Sequence, residues 1–200
     1  TKHHRVETVS YAQRAVPLEH YVFDTEMGLT TLDKLRDRAS IPDYRDVHRR
    51  RGRRANMFEK YTPPSPRDVI AEMSGKLPAI VFSFSRKACE EEAVKLSRQE
   101  DFVDDEQVRR RIVSVYRKHF SPEINQMKTT AKLRKALSSG VGFHHAGLLP
   151  QHKEAVEELF GEGLLQVLFA TETFSVGINM PAKTVVFNGL RKFDGVSFRT

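Results

Sequence analysis

The sequence predicts an α/β chain built on a doubly wound, mainly parallel sheet, and three observations carry that expectation. Short, bounded apolar runs recur at 77–84, 141–144, 164–169 and 184–187. The run at 164–169 suits a strand buried on both faces of a parallel sheet. Between the runs lie stretches whose apolar residues follow a 3.6-residue period, and strands alternating with helices imply right-handed crossovers. Small and polar residues follow the runs at once, where open α/β sheets bind ligands outside the carboxyl ends of their strands.

Taken in order, Val6–Val9 and Leu18–Phe23 read as extended segments on either side of a turn at Arg14-Ala15-Val16-Pro17. Leu29 to Arg38 predicts a short amphipathic helix using Leu29, Leu32 and Leu35. Residues 40–66 have few apolar side chains and end in Pro63-Pro64-Ser65-Pro66, which predicts a loop or insertion. Pro66 suits the first turn of a helix over Arg67–Ser74 capped by Ser65. Leu77–Phe84 reads as a buried strand. Ser85 then caps a helix from Arg86 to about Arg98, with Cys89, Ala93 and Leu96 inward. A second helix spans Asp104–His119 through Val108, Ile112, Val115 and Tyr116, and a third spans Thr129–Leu137. Val141–His144 is a strand. Pro150–Phe160 is a helix facing inward with Ala155, Val156, Leu159 and Phe160, stopped by Gly161 and Gly163.

Two hundred residues, 39% hydrophobic and 30% charged, suffice for one globular α/β domain with a real core and an appendage. No apolar run approaches the roughly 20 residues that cross a bilayer, so a membrane partner is not expected. The opening Thr1-Lys2-His3-His4-Arg5 carries neither a methionine nor a signal-like segment, which suggests a piece of a longer chain. Cys89 is the only cysteine; an internal disulfide is impossible, and a reducing, intracellular compartment is expected. The net charge of +7 is concentrated: Arg45 to Arg54 hold six arginines against the single acid Asp46. That cluster reads equally as a phosphate-attracting arm or as a solvated linker, since few aromatics are interleaved for base stacking.

The chemistry gathers at strand ends. Ser85 and Arg86 open a helix, where unpaired N–H groups favour anions. His144 and His145 are neighbours that point to opposite faces and make no metal pair, and no CxxC or HExxH spacing occurs. Small and hydroxyl residues after Val167–Phe169 can approach a phosphate, although a buried strand with an ordinary loop has the same spacing.

Ala170 to Phe187, ATETFSVGINMPAKTVVF, resembles motif V of superfamily-two helicases in the form used by Ski-like RNA helicases that assist the exosome. AIVFSFSRKACEE from Ala79 resembles motif IV, VGFHHAGLLP from Val141 resembles the HHAGLLP motif, and YAQRAVPLEHYVF from Tyr11 is similar to the connector leaving the first motor domain. Leu190 to Gly195 also matches the segment after motif V. The resemblance covers most of Thr8–Arg38 and Pro66–Arg199. It implies a RecA-like domain over 67–200, an extended linker over 1–40 and a basic insertion over 41–66. By it, Ser85, Arg86, His145, Gly147, Thr171 and Glu172 lie along the RNA backbone, with Glu172 supporting the loop. Gly177 and Asn179 face the nucleotide cleft, Asn179 near the ATP ribose.

The resemblance further implies an ATP-dependent helicase that moves 3′ to 5′ on RNA with a 3′ overhang, in nucleus or cytoplasm, alongside the exosome or its adaptors. No GxxxxGK[ST] loop, DExH-type acidic site or QMxGRAGR arginine finger occurs in these 200 residues. The isolated chain is therefore expected not to hydrolyse ATP, and Mg²⁺ is expected on the other motor domain. The alternative is a non-catalytic nucleic-acid-binding module working through the Arg45–Arg54 arm.

Overall fold

A computed structural model describes residues 16–24, 28–37, 64–73, 75–175, 181–188, 192–193 and 198–199. The chain divides into two compact units, Thr1–Pro64 and Ser65–Thr200. In the first, β1 (Tyr21–Asp24) pairs antiparallel with β2 (Gly28–Thr31), and α1 (Leu32–Asp37) follows directly. The helix expected from Leu29 thus starts three residues later. Leu29 lies opposite Phe23 and Thr31 opposite Tyr21, so ladder pairing claims the residues that helical periodicity had included. The segment Val6–Val9 and the Arg45–Arg54 cluster lie outside the described residues.

The second unit begins with α2 (Pro66–Ala71), shorter than the expected helix to Ser74. Ser65 Oγ accepts from the Asp68 N–H at 3.4 Å, and the Asp68 carboxylate accepts from the Ser65 N–H at 2.9 Å. This reciprocal capping box satisfies two otherwise orphaned amides. Four parallel strands follow in chain order: β3 (Ala79–Phe82), β4 (Val141–His144), β5 (Val167–Ala170) and β6 (Thr184–Phe187). Their spatial order is β4-β5-β3-β6. A short antiparallel pair, β7 (Lys192–Phe193) and β8 (Phe198–Arg199), comes last.

Between β3 and β4 run α3 (Arg86–Gln99), α4 (Glu106–His119), α5 (Pro122–Asn125) and α6 (Lys128–Leu137). Sequence periodicity misses α5 because four residues are barely one turn. Its cap is nonetheless legible, as Ser121 Oγ accepts from the Ile124 N–H ahead of Pro122. Helix α7 (Pro150–Gly161) joins β4 to β5. It stops where Gly163 turns left-handed at φ 75°, with its N–H on Phe160 O and the Leu164 N–H on Leu159 O. That double bond closes the last carbonyls in a Schellman turn, and a side chain at Gly163 would strain it.

Strand β5 is buried along its whole length, and Leu168 is 0% exposed. Around it pack Phe143, Leu133, Leu137, Val156, Leu159 and Phe160, all buried. Cys89 lies in the same core, its thiol directed at His144 O at 3.9 Å, and burial pushes its pKa up to about 12. Among the described residues no helix is long and apolar enough to cross a membrane. Leu168→Ala is expected to cost about 2–5 kcal/mol by cavity formation. Val185→Thr, on the outward face of β6, should change stability by less than about 0.5 kcal/mol. Urea denaturation of the two variants checks the contrast.

Candidate nucleic-acid interface

The register of the sheet brings three strand ends to one level. Phe82 and His144 both pair with Ala170, so the residues after them form a single edge. Beyond β3 lie Ser83 to Arg86, beyond β4 the turn His145 to Leu148, and beyond β5 Thr171 and a 3₁₀ turn over Glu172–Ser175. Six of the residues singled out from sequence therefore lie beyond these neighbouring strand ends: Ser85, Arg86, His145, Gly147, Thr171 and Glu172. Gly177 and Asn179 lie outside the described residues.

Each member is held by a specific contact. Ser85 Oγ accepts from the Ala88 N–H at 3.3 Å and caps α3, which leaves its hydroxyl proton free to be donated outward. Arg86 occupies the first position of that helix, is exposed, and makes no ion pair with any described residue. Two amides before the helical ladder and the positive end of the helix dipole sit beside it. The Thr171 N–H donates to His144 O at 3.1 Å and its carbonyl accepts from the Phe174 N–H at 2.9 Å, which locks the start of the loop. Thr171 is 8% exposed, while Glu172 is exposed.

The two histidines diverge as adjacent residues should, but both are buried. His144 Nε2 meets Glu157 of α7 at 2.8 Å, and the Phe174 ring stands edge-on to the imidazole at 4.6 Å. His145 Nε2 meets Glu90 of α3 at 3.2 Å, and its ring stacks on Phe143 at 6.0 Å. The His145 ring is thus turned inward, and the edge is presented by backbone and by Gly147. A Cβ on Gly147 would stand 3.2 Å from His145 Nδ1 and 3.5 Å from Arg86 Cδ, so a side chain here would press on the imidazole and require it to give by a few tenths of an ångström. Lys153 of α7 is a further cation whose charge reaches both His144 and His145.

Sequence reasoning missed Glu90, Glu157 and Lys153. Carboxylates and lysines on helices read as solvated faces, and nothing in their spacing shows that two of the acids turn toward a buried ring. Among the described residues no three His, Cys, Asp or Glu side chains come together as a metal-holding group. The donors of this edge are hydroxyls, amides and a guanidinium, which suit phosphate oxygens and do not fit Mg²⁺.

Residues 94–194 match the helicase conserved C-terminal domain. The chain belongs to that family. Over 208 aligned residues it is 36% identical to the exosome RNA helicase MTR4 of Homo sapiens, covering 93% of this chain and 19% of that protein. It is 32% identical over 223 residues to the superkiller complex protein 2 of Homo sapiens, covering 99% of this chain and 18% of that one. With the ATP-dependent RNA helicase mtr4 of Schizosaccharomyces pombe the identity is 46% over 125 residues, 61% of this chain and 11% of the relative. The chain therefore spans between about a tenth and a fifth of the length of these relatives. They bear out the Ski-like resemblance, and the parallel sheet with its flanking helices agrees with the RecA-like fold that it implies.

Burial holds the pKa values of His144, His145 and His152 below their usual 6.5. The rings stay neutral in the folded chain while the unfolded chain protonates them. Below about pH 6.5 the unfolded state then binds more protons, and stability falls with pH down to the lowered folded-state values. The urea midpoint should drop between pH 7.5 and 5.5, above the range in which carboxylates titrate; a flat profile would contradict neutral buried rings.

Proposed function

We propose that this chain is the second motor domain of an ATP-dependent RNA helicase that unwinds 3′ to 5′ in RNA processing or decay. The observation that carries the reading is the level edge of Ser85, Arg86, Gly147 and Thr171, inside a sequence of the helicase C-terminal family. Its donors are the Ser85 hydroxyl, the first amides of α3 and the Arg86 guanidinium, groups suited to phosphate oxygens. A grip of that kind holds a single strand without regard to sequence, which is what a motor stepping along RNA requires.

In this reading residues 1–40 are the linker from the first motor domain, and 41–66 are a basic insertion. Gly177 and Asn179 belong to the ATP cleft, and Mg²⁺ is held by the first motor domain. The name of the MTR4 relative supports RNA as the substrate and the exosome as a partner; a 3′ overhang on that RNA and contact through exosome adaptors belong to the same reading. An intracellular site of action, nuclear or cytoplasmic, goes with this reading.

A second reading rests on charge. Arg45–Arg54 carry a net charge of +5 out of the chain's net +7, so a binding arm without motor function would also attract RNA. The full-length protein, with its first motor domain intact, separates the two. Under the motor reading, Thr171→Ala and Arg86→Gln each weaken single-strand RNA binding and RNA-stimulated ATPase with little dependence on base sequence. Arg86→Gln should also lower the slope of log affinity against log salt by about 0.7. Full stimulation with Thr171→Ala, but none after deletion of Arg45–Arg54, would make the arm the RNA site.

A further inference from the structure

We propose that Glu90 is the positioning residue of the RNA-facing turn, fixing the Gly147 N–H through the His145 imidazole and so setting the turn beside Arg86. The inference rests on the reading of this edge as an RNA-backbone surface. It begins with a hydrogen-bond count. The Gly147 N–H can only donate, and it points at His145 Nδ1 at 3.1 Å. Nδ1 must therefore be the acceptor, so the single proton of the neutral ring sits on Nε2. Nε2 lies 3.2 Å from Glu90 Oε1, which receives that proton. One carboxylate thereby selects the tautomer that the turn requires.

The rest of the arrangement leaves the ring little freedom. Lys132 Nζ holds the other Glu90 oxygen at 2.8 Å, from helix α6. Phe143 stacks on the imidazole, with ring planes 10° apart. The Leu148 N–H closes the turn onto His145 O at 3.1 Å. Burial keeps His145 in its neutral form, the only form that can accept from Gly147. Glu90 also lies one helical turn after Arg86 on α3, so a single helix carries both the exposed cation and the acid that braces its neighbour. Glu90 touches no substrate itself; it acts through His145.

The test uses the full chain, with a single-stranded oligoribonucleotide followed by fluorescence anisotropy and amide exchange followed over a peptide containing 145–149. Glu90→Met keeps volume and removes the acceptor. It is expected to speed exchange at Gly147 and to weaken binding about three- to tenfold. Glu90→Gln, whose amide oxygen still accepts from Nε2, should retain both properties. His145→Asn can keep an oxygen near Gly147 but cannot reach Glu90, so adding Glu90→Met to it should cause no further loss. Where Glu90→Met does not fold, Glu90→Ala takes its place in the same comparison. Unchanged exchange, faster exchange with unchanged affinity, or a full second loss in the His145→Asn background each overturn the inference. Arg86→Ala reports on the interface separately: affinity that survives it overturns the RNA surface and this inference with it. Weakened binding with Arg86→Ala beside an unaffected Glu90→Met would sink the bracing role alone.

Discussion

The register of β5 against its two neighbours is the constraint on which the Ser65–Thr200 unit depends. A strand paired on both sides and buried on both faces has no freedom to slip, because one residue of shift would turn every side chain to the other face. Val167, Leu168, Phe169 and Ala170 are all buried, and the pairings of Phe82 and His144 with Ala170 follow from that fit. Three loops distant in sequence consequently leave the sheet at one height. The Thr171 N–H then bonds His144 O, and the Ser83 N–H bonds Ala170 O, which carries the ladder past the strands into the site. The geometry of the edge is thus an extension of the core.

Much of this was legible in the residues. The apolar runs located β3, β4 and β5 because a strand buried on both faces must be largely apolar, and the β-branched run at Thr184–Phe187 located β6 although its outward face is exposed. Ser65 and Ser85 located helix starts because a hydroxyl before a periodic stretch has a definite use. Leu29 was misread since Leu29, Leu32 and Leu35 fit a helical stripe, and periodicity carries no information on a partner strand as close as Tyr21–Asp24. The site was legible only through family-like motifs. Spacing cannot distinguish Glu90, turned onto a buried imidazole, from Glu91 beside it on the solvent side. That distinction arises from which face of α3 meets β4.

The buried imidazoles are an unusual choice for a core. His152 Nε2 donates to Thr130 Oγ1 at 2.8 Å, since the Thr130 hydroxyl is itself committed to Ile124 O at 2.6 Å. Nδ1 of His152, like Nδ1 of His144, is buried without a hydrogen-bond partner among the described residues. Each such nitrogen costs on the order of 1–3 kcal/mol. In return the polar contacts are directional: Thr130 ties α6 to α7, and Glu157 ties α7 to β4. Apolar packing alone would tolerate small rotations of these helices, whereas these bonds do not.

Cys89 has a practical side. The only sulfhydryl of the 200 residues is 0% exposed, and its acidity is suppressed by the same aliphatic packing that holds α3 on the sheet. Reagents that need a thiolate find almost none here at neutral pH. A cysteine introduced on an exposed position would consequently be the sole reactive handle on this part of the folded molecule. Fluorophores could be attached there without first deleting Cys89, leaving the core sequence untouched while the domain is watched at work.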